Sequence, residues 1–201
     1  MPVIALVGGV GVGKTYLGRR WKEMIPSAVF IEEDTAQNLY LNEFYSDMRK
    51  WGFHSRISML AMVLSNMAQA QLQAQQDNIV ILDRCVEELI VFATKEYEEG
   101  NLTEKEFTLY KQLYYGILDI LPRPDVFVYF RCKPETSYQR IMQRGRDCEK
   151  GIDISFCADV INRYDAWRDN LKLCKVLNVD TDKELDVASV LQDILSLLND
   201  E

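Results

Sequence analysis

The chain has 201 residues, 48% of them hydrophobic and 27% charged, with a formal charge of -8. That length suits one α/β domain with a sizeable core, and the composition is that of a globular protein. The negative charge argues against a nucleic-acid surface, which needs a basic footprint, so any anionic ligand must be held by a local cluster of cations.

Five cysteines, Cys85, Cys132, Cys148, Cys157 and Cys174, are scattered and show no C-x-x-C spacing. They suit reduced thiols in the cytosol better than a disulfide framework or a zinc site. His54 is the single histidine, which excludes a multi-histidine metal site. The first strand begins almost at Met1, so no targeting segment is expected. No apolar run approaches the roughly 20 residues of a membrane span. The expectation is a cytoplasmic protein with no membrane partner.

Taken in order, Val3-Ile4-Ala5-Leu6-Val7 reads as a buried strand. It runs into Gly8-Gly9-Val10-Gly11-Val12-Gly13-Lys14-Thr15, which fits G-x-x-x-x-G-K-[ST] at every fixed position. A helix is predicted over residues 14–24. Strand, glycine-rich turn and helix start is the context of a phosphate-binding loop. The glycines let backbone N–H groups wrap a di- or triphosphate, and the helix N-terminus adds a favourable dipole. Lys14 would reach the β- and γ-phosphates of ATP and the Thr15 hydroxyl would ligate Mg²⁺. A βα turn without a ligand gives no reason for the Lys-Thr pair.

Ala28-Val29-Phe30-Ile31 is a second strand, closing in Glu32-Glu33-Asp34, at the strand end where open α/β sheets place ligands. Neighbours on a strand point opposite ways, so only one of Glu32 and Glu33 can face a cleft. Residues 36–50 are mixed and partly helical. A long helix over 55–76 carries an apolar stripe suited to core packing and a subunit contact, and a homodimer is the expected assembly. Asn78-Ile79-Val80-Ile81-Leu82 is a strand ending at Asp83-Arg84. It resembles a Walker-B strand, whose carboxylate helps hold Mg²⁺.

Two helices are predicted over 86–99 and 103–121, the second with Thr103 as N-cap and Glu106 at N3. Leu121-Pro122-Arg123-Pro124 breaks the chain before a strand over 126–130. A helix from Pro134 carries Arg140, Arg144 and, past Gly145, Arg146. Residues 144–153, framed by Gly145 and Gly151, read as a mobile lid. With few acids near Arg144 and Arg146, that lid is expected to be open without nucleotide and ordered with it. A helix over 154–173, a strand over 175–179, the loop Asp180-Thr181-Asp182 and a helix over 184–198 complete the chain. Asp180 is grouped with the nucleotide-binding residues. This alternation predicts a three-layer α/β fold, with a five-stranded parallel sheet flanked by helices.

No guanine-reading N-K-x-D is present, which argues against a GTPase. Arg140-x-x-x-Arg144-x-Arg146 suits a lid that stabilises charge on a transferring phosphoryl group. Together with Glu33 through Tyr45, Trp51-Gly52-Phe53, Asp83-Arg84-Cys85, Phe92-Ala93, Leu121-Pro122-Arg123-Pro124-Asp125 and Glu149, these motifs resemble the deoxynucleoside kinase family across nearly the whole chain. The resemblance implies ATP- and Mg²⁺-dependent phosphorylation of the 5′-hydroxyl of a deoxyribonucleoside. It implies Glu33 as general base and Arg84 holding the reacting groups in line. Tyr45 and Glu149 would bind the sugar 3′-hydroxyl, Phe92 would stack on the base, and Arg140, Arg144 and Arg146 would contact the ATP phosphates. Trp51 is placed with the substrate-binding residues, and Asp83 with Thr15 at the metal.

This sequence departs from the family pattern at several positions. Glu33-Asp34 stands for Glu-Pro, Cys85 for a serine, and Leu89 falls near a position that is often acidic. Arg56 falls where the family has a base-reading glutamine. Arginine has donors only, so either the acceptor differs or Arg56 serves another group, such as a phosphate. The competing readings are a nucleoside monophosphate kinase, with Arg56 gripping the acceptor's phosphate, and a nucleotide-binding subunit without chemistry. Intact Lys14, Thr15, Glu33, Asp83 and Arg84 speak against the latter.

Overall fold

The five apolar runs become β1 (Val3–Val7), β2 (Ala28–Ile31), β3 (Ile79–Asp83), β4 (Val126–Arg131) and β5 (Lys175–Asp180). The structure, a computed structural model, describes residues 1–34, 37–76, 78–171, 175–183 and 185–199. Among these residues the strands pair in parallel in the order β2-β3-β1-β4-β5. β1 is central, and the chain crosses from one side of it to the other between β3 and β4. Ligands of open α/β sheets collect outside the strand C-termini at such a reversal. In register, Leu6 of β1 lies opposite Asp83 of β3, so the loop after β1 and the residues after β3 emerge side by side.

Connecting and covering the sheet are α1 (Lys14–Met24), α2 (Leu41–Ser46), α3 (Met48–Ala74), α4 (Leu89–Glu98), α5 (Glu104–Ile120), α6 (Pro134–Arg144), α7 (Ile154–Asp169) and α8 (Val187–Asn199). Alternation along β1 divides its side chains between two cores. Val3, Ala5 and Val7 pack with residues of α3, α4, α5 and α7. Ile4 and Leu6 pack with Leu17 and Trp21 of α1 and Ile194 of α8. Burial on both faces explains why the central strands are almost wholly apolar rather than alternating.

Some helix boundaries differ from the sequence reading. α3 begins at Met48 rather than near Ser55, N-capped by the Asp47 carboxylate, which accepts from the Lys50 N–H at 3.0 Å. Gly52 lies inside the helix because a Cβ there would come within 2.7 Å of the Asn101 carbonyl; it permits close packing and does not break the helix. The segment after Arg84 opens with a 3-10 turn (Val86–Glu88) before α4. Thr103 and Glu106 do form the predicted capping box on α5. Ala36, Leu173 and Glu184, which fell at predicted segment ends, and Cys174 lie outside the described residues. No helix among the described residues is long and apolar enough to cross a membrane.

Candidate active site

The phosphate loop is held in shape before any phosphate arrives. Gly11 has φ +73°, and a Cβ on it would meet the Ser137 carbonyl of α6 at 2.6 Å, so no larger residue fits. The Ser137 hydroxyl donates to the Val10 carbonyl at 2.7 Å. The Thr181 hydroxyl donates to the Val12 carbonyl at 3.0 Å. Lys14 is 6% exposed, and its ammonium donates to the carbonyls of Gly8 and Gly9 at 2.8 and 2.7 Å. Burial, reinforced by the positive charge of Arg84, lowers its pKa from 10.5 to about 8. Anionic phosphate would reverse that penalty.

Beside this loop, the end of β3 presents Asp83 and Arg84. The Thr15 hydroxyl donates to Asp83 Oδ2 at 2.6 Å, while Asp83 Oδ1 is buried with no hydrogen-bond partner among the described residues. Burial pushes the Asp83 carboxyl up, and Lys14 offsets this only in part. A hydroxyl and a buried carboxylate with a spare oxygen fit the hard-oxygen donor set of Mg²⁺, which takes one or two carboxylates plus substrate phosphates.

Arg84 takes the left-handed backbone conformation at φ +74°, which costs an ordinary residue about 1–2 kcal/mol. Its N–H donates to the Leu6 carbonyl at 3.2 Å. Its side chain spans two carboxylates, with Nε donating to Glu33 at 2.7 Å and Nη1 to Glu88 at 3.2 Å. Nη1 also donates to the Tyr164 hydroxyl at 3.2 Å. Burial alone would raise the Glu33 carboxyl, but Arg84 and Lys14 outweigh it and hold Glu33 below the ordinary range. Glu32, its neighbour, takes a bidentate contact from Arg19 at 2.9 and 2.5 Å, and it lines the same cleft as Glu33, so the expectation that only one of the pair faces the cleft is corrected.

Sequence reasoning missed Glu88. Its side chain is fully buried, and besides Arg84 it accepts from the Gly8 N–H at 3.0 Å. It therefore ties the phosphate loop to the arginine. The signal that could have found it is its position four residues beyond Arg84, the spacing at which opposite charges meet on a helical turn.

Beside these groups opens a cleft of about 590 Å³. Residues 10–15 of the phosphate loop, Glu33, Tyr45, Arg56, Arg84, Phe92, Arg140, Arg144, Arg146 and Glu149 all face it. Gly8, Gly9, Asp83, Trp51 and Asp180 are not among its lining residues; Asp83 lies behind Thr15, which does face the cleft. Trp51 precedes Arg56 by five residues, about 140° around the helix, and stacks on Tyr40 at 5.5 Å instead. Asp180 accepts from the Asp182 N–H at 3.1 Å and pairs with Lys183 at 3.5 Å. The next residue, Thr181, points to the loop, where Arg140 donates to its hydroxyl and carbonyl at 2.9 and 2.8 Å.

The expectation that few acids restrain the lid arginines is corrected. Glu149 pairs with Arg144 at 2.7 Å and with Arg146 at 3.5 Å. A 3-10 turn (Asp147–Glu149) folds its carboxylate back under both.

The lysine of this loop, the strand-end aspartate beside it and an arginine-bearing segment over the same cleft define a kinase fold of the phosphate-loop class. Comparison with known proteins narrows this. The deoxynucleoside kinase family profile matches residues 4–200, and the chain belongs to that family. It is 32% identical over 161 residues to deoxyadenosine kinase of Dictyostelium discoideum, an alignment covering 80% of this chain and 64% of that one. The chain thus spans less than two thirds of that relative. It is 31% identical to deoxyguanosine kinase of the same organism, covering 96% of this chain and 68% of the relative. Among solved structures, deoxyadenosine kinase from M. mycoides with dCMP and dCDP bound superposes with a TM-score of 0.80 at 25% identity, covering 98% of each chain.

Proposed function

We propose that the chain transfers the γ-phosphoryl group of ATP to the 5′-hydroxyl of a deoxyribonucleoside. The observation that carries this reading is the Glu33–Arg84 pair, 2.7 Å apart, in the cleft that the phosphate loop lines. A carboxylate kept ionised by Arg84 is a base for the 5′-hydroxyl, and a positioned base contributes about 10²–10⁴-fold. Arg84 keeps Glu33 aimed and lies beside the transferring group. Lys14, Arg140, Arg144 and Arg146 meet the donor phosphates with the loop's N–H groups. Thr15 and Asp83 would hold Mg²⁺, which when bound neutralises charge on the phosphates. Tyr45 and Glu149 take the sugar 3′-hydroxyl, and Phe92 lies along the base.

The whole chain is read as one domain, with residues 144–153 as its lid. A homodimer is supported by Leu109, Leu113 and Ile120, all exposed and spaced along one face of α5. Free buried thiols at Cys85, Cys132 and Cys157 support a reducing, cytoplasmic location.

The test is ADP release with ATP and Mg²⁺ across the natural deoxynucleosides and their 5′-monophosphates. Turnover with nucleosides and not with monophosphates is expected. The opposite pattern overturns the reading in favour of a monophosphate kinase.

A further inference from the structure

Arg56 of α3 lines the cleft and is 8% exposed, yet among the described residues its Nε has no hydrogen-bond partner. Its guanidinium lies over the rings of Phe44 and Phe92, 5.2 and 5.6 Å from their centroids. Nη2 makes only a long contact, donating to the Ser55 hydroxyl at 3.4 Å. A buried donor left unmatched costs about 1–3 kcal/mol, so this side chain is incomplete without a ligand. Nε–H and an Nη2–H lie side by side as a planar fork with no acceptor capacity, and the partner that fits is a pair of adjacent acceptors.

The fork is at the aromatic end of the cleft rather than the reacting end. The charges that most affect Glu33 are those of Arg84, Lys14 and Arg146, whereas Arg56 acts on Tyr110 of α5. An acceptor phosphate belongs with the reacting groups at Glu33 and Arg84; a planar base belongs beside Phe92. The bases differ in what they offer a donor-only fork. Guanine presents O6 and N7 side by side, both acceptors, whereas adenine sets its N6 amino donor beside N7. Thymine's two carbonyls are separated by the N3–H donor. Cytosine's N3 and O2 are also adjacent acceptors, met by guanine's own donors in a base pair, but guanine O6 and N7 are the recurrent partner of an arginine fork, and deoxycytidine is the competitor the experiment includes.

We propose that Arg56 makes the site selective for a 6-oxopurine deoxynucleoside, deoxyguanosine or deoxyinosine, by donating a forked pair of hydrogen bonds to O6 and N7. This rests on the reading that the acceptor is a deoxynucleoside. A bidentate contact of this kind discriminates by about 1–3 kcal/mol, or about 5- to 150-fold.

The experiment measures kcat/KM and, by calorimetry without ATP, binding for deoxyguanosine, deoxyinosine, 7-deaza-deoxyguanosine, deoxyadenosine, deoxycytidine and dGMP. It uses the full chain as wild type, Arg56→Gln and Arg56→Lys. Wild type should prefer deoxyguanosine and deoxyinosine over deoxyadenosine by roughly 10-fold or more, and removing N7 should abolish most of that gain. Arg56→Gln, which restores one donor and one acceptor, should shift preference to deoxyadenosine, and Arg56→Lys should lose the preference while keeping the charge. The 7-deaza arm needs no variant, so a misfolded substitution leaves the proposal exposed to refutation. Preference for deoxyadenosine or deoxycytidine by wild type, or indifference to N7, overturns it. So does loss of dGMP affinity in Arg56→Gln with the nucleoside profile unchanged, which assigns Arg56 to a phosphate. Tight binding of deoxyguanosine without phosphorylation would instead sustain the role of Arg56 and overturn the proposed reaction.

Discussion

Replacing Glu33 by glutamine removes a charge and a proton acceptor while keeping nearly the same shape. The amide oxygen can still accept from Arg84 Nε, the contact now made at 2.7 Å, and Arg84 keeps Glu88 at 3.2 Å. Binding of ATP and acceptor should therefore change little. The loss should fall on kcat, by at least about 100-fold, which corresponds to about 2.7 kcal/mol of transition-state stabilisation. Glu32→Gln is the matched control, because that carboxylate is turned to Arg19 and should lose less than about threefold, the scale of an exposed ion pair. The fold should survive at a loss of about 1–2 kcal/mol, or roughly 2–8 °C in Tm for a chain of this size. Stability should also carry the sign of the shifted carboxyl. Glu33 is held below its ordinary value when folded, so its stabilisation is present above the unfolded pKa, near 4.3, and is lost as pH falls through the folded one. The Tm gap between wild type and Glu33→Gln should close below about pH 4. The assay is steady-state ADP release on purified variants with both substrates saturating. If Glu33→Gln turns over like wild type, the base is not there. If the two variants exchange behaviour, the base is Glu32.

Three further outcomes follow from the same contacts. Lys14→Met should abolish most turnover yet unfold at an equal or higher temperature. Burying this charge against a pKa of about 8 costs about 3 kcal/mol at neutral pH, a penalty fully present below pH 8 and gone above the unfolded value of 10.5; a drop in Tm of several degrees would contradict that sign. Glu88→Gln loosens both the Gly8 N–H and Arg84, so KM for ATP should rise and kcat fall together, by up to about 100-fold for a misplacement of this kind. A change confined to Tm would make Glu88 purely structural. Glu149→Gln frees Arg144 and Arg146, so trypsin should cut after them faster than in wild type, with an ATP analogue restoring protection; equal cleavage rates would refute the restraint.

Where local chemistry decides the outcome, this chain is legible from its residues. The phosphate loop, the strands and the capping box at Thr103 follow from spacing and residue type, and all form as predicted. What escaped depends on neighbours distant in sequence. The helix α3 starts at Met48, earlier than expected, and Gly52 is accommodated within it because Asn101, distant in sequence, passes close to it. Glu88 looks like a surface acid in Val86-Glu87-Glu88, and only Gly8 and Arg84 explain its burial. The expected shortage of acids near Arg144 and Arg146 was overturned for a subtler reason. Glu149 is close in sequence to both arginines, but a one-turn 3-10 helix decides whether it reaches them. Asp180 was grouped with the nucleotide-binding residues, but its neighbour Thr181 is the one that reaches the loop, through Val12 and Arg140, both distant in sequence.

Arg84 and Lys14 differ in what their survival says about a protein of this kind. Removing Arg84 would relieve a left-handed backbone by about 1–2 kcal/mol. It would also leave Glu33 and Glu88, 13% and 0% exposed, without their shared cation, at about 3–5 kcal/mol. A chain drifting under selection for folding alone would therefore retain this arginine, whether or not it turned anything over. Lys14 is the reverse: buried, with its charge disfavoured until phosphate arrives, it burdens the empty protein. Mutation without catalytic selection would discard it early. In copies of this fold suspected of having lost their chemistry, the lysine is the residue to inspect; the arginine, counted beside it when only the sequence is read, is no evidence of a working enzyme once its structural role is known.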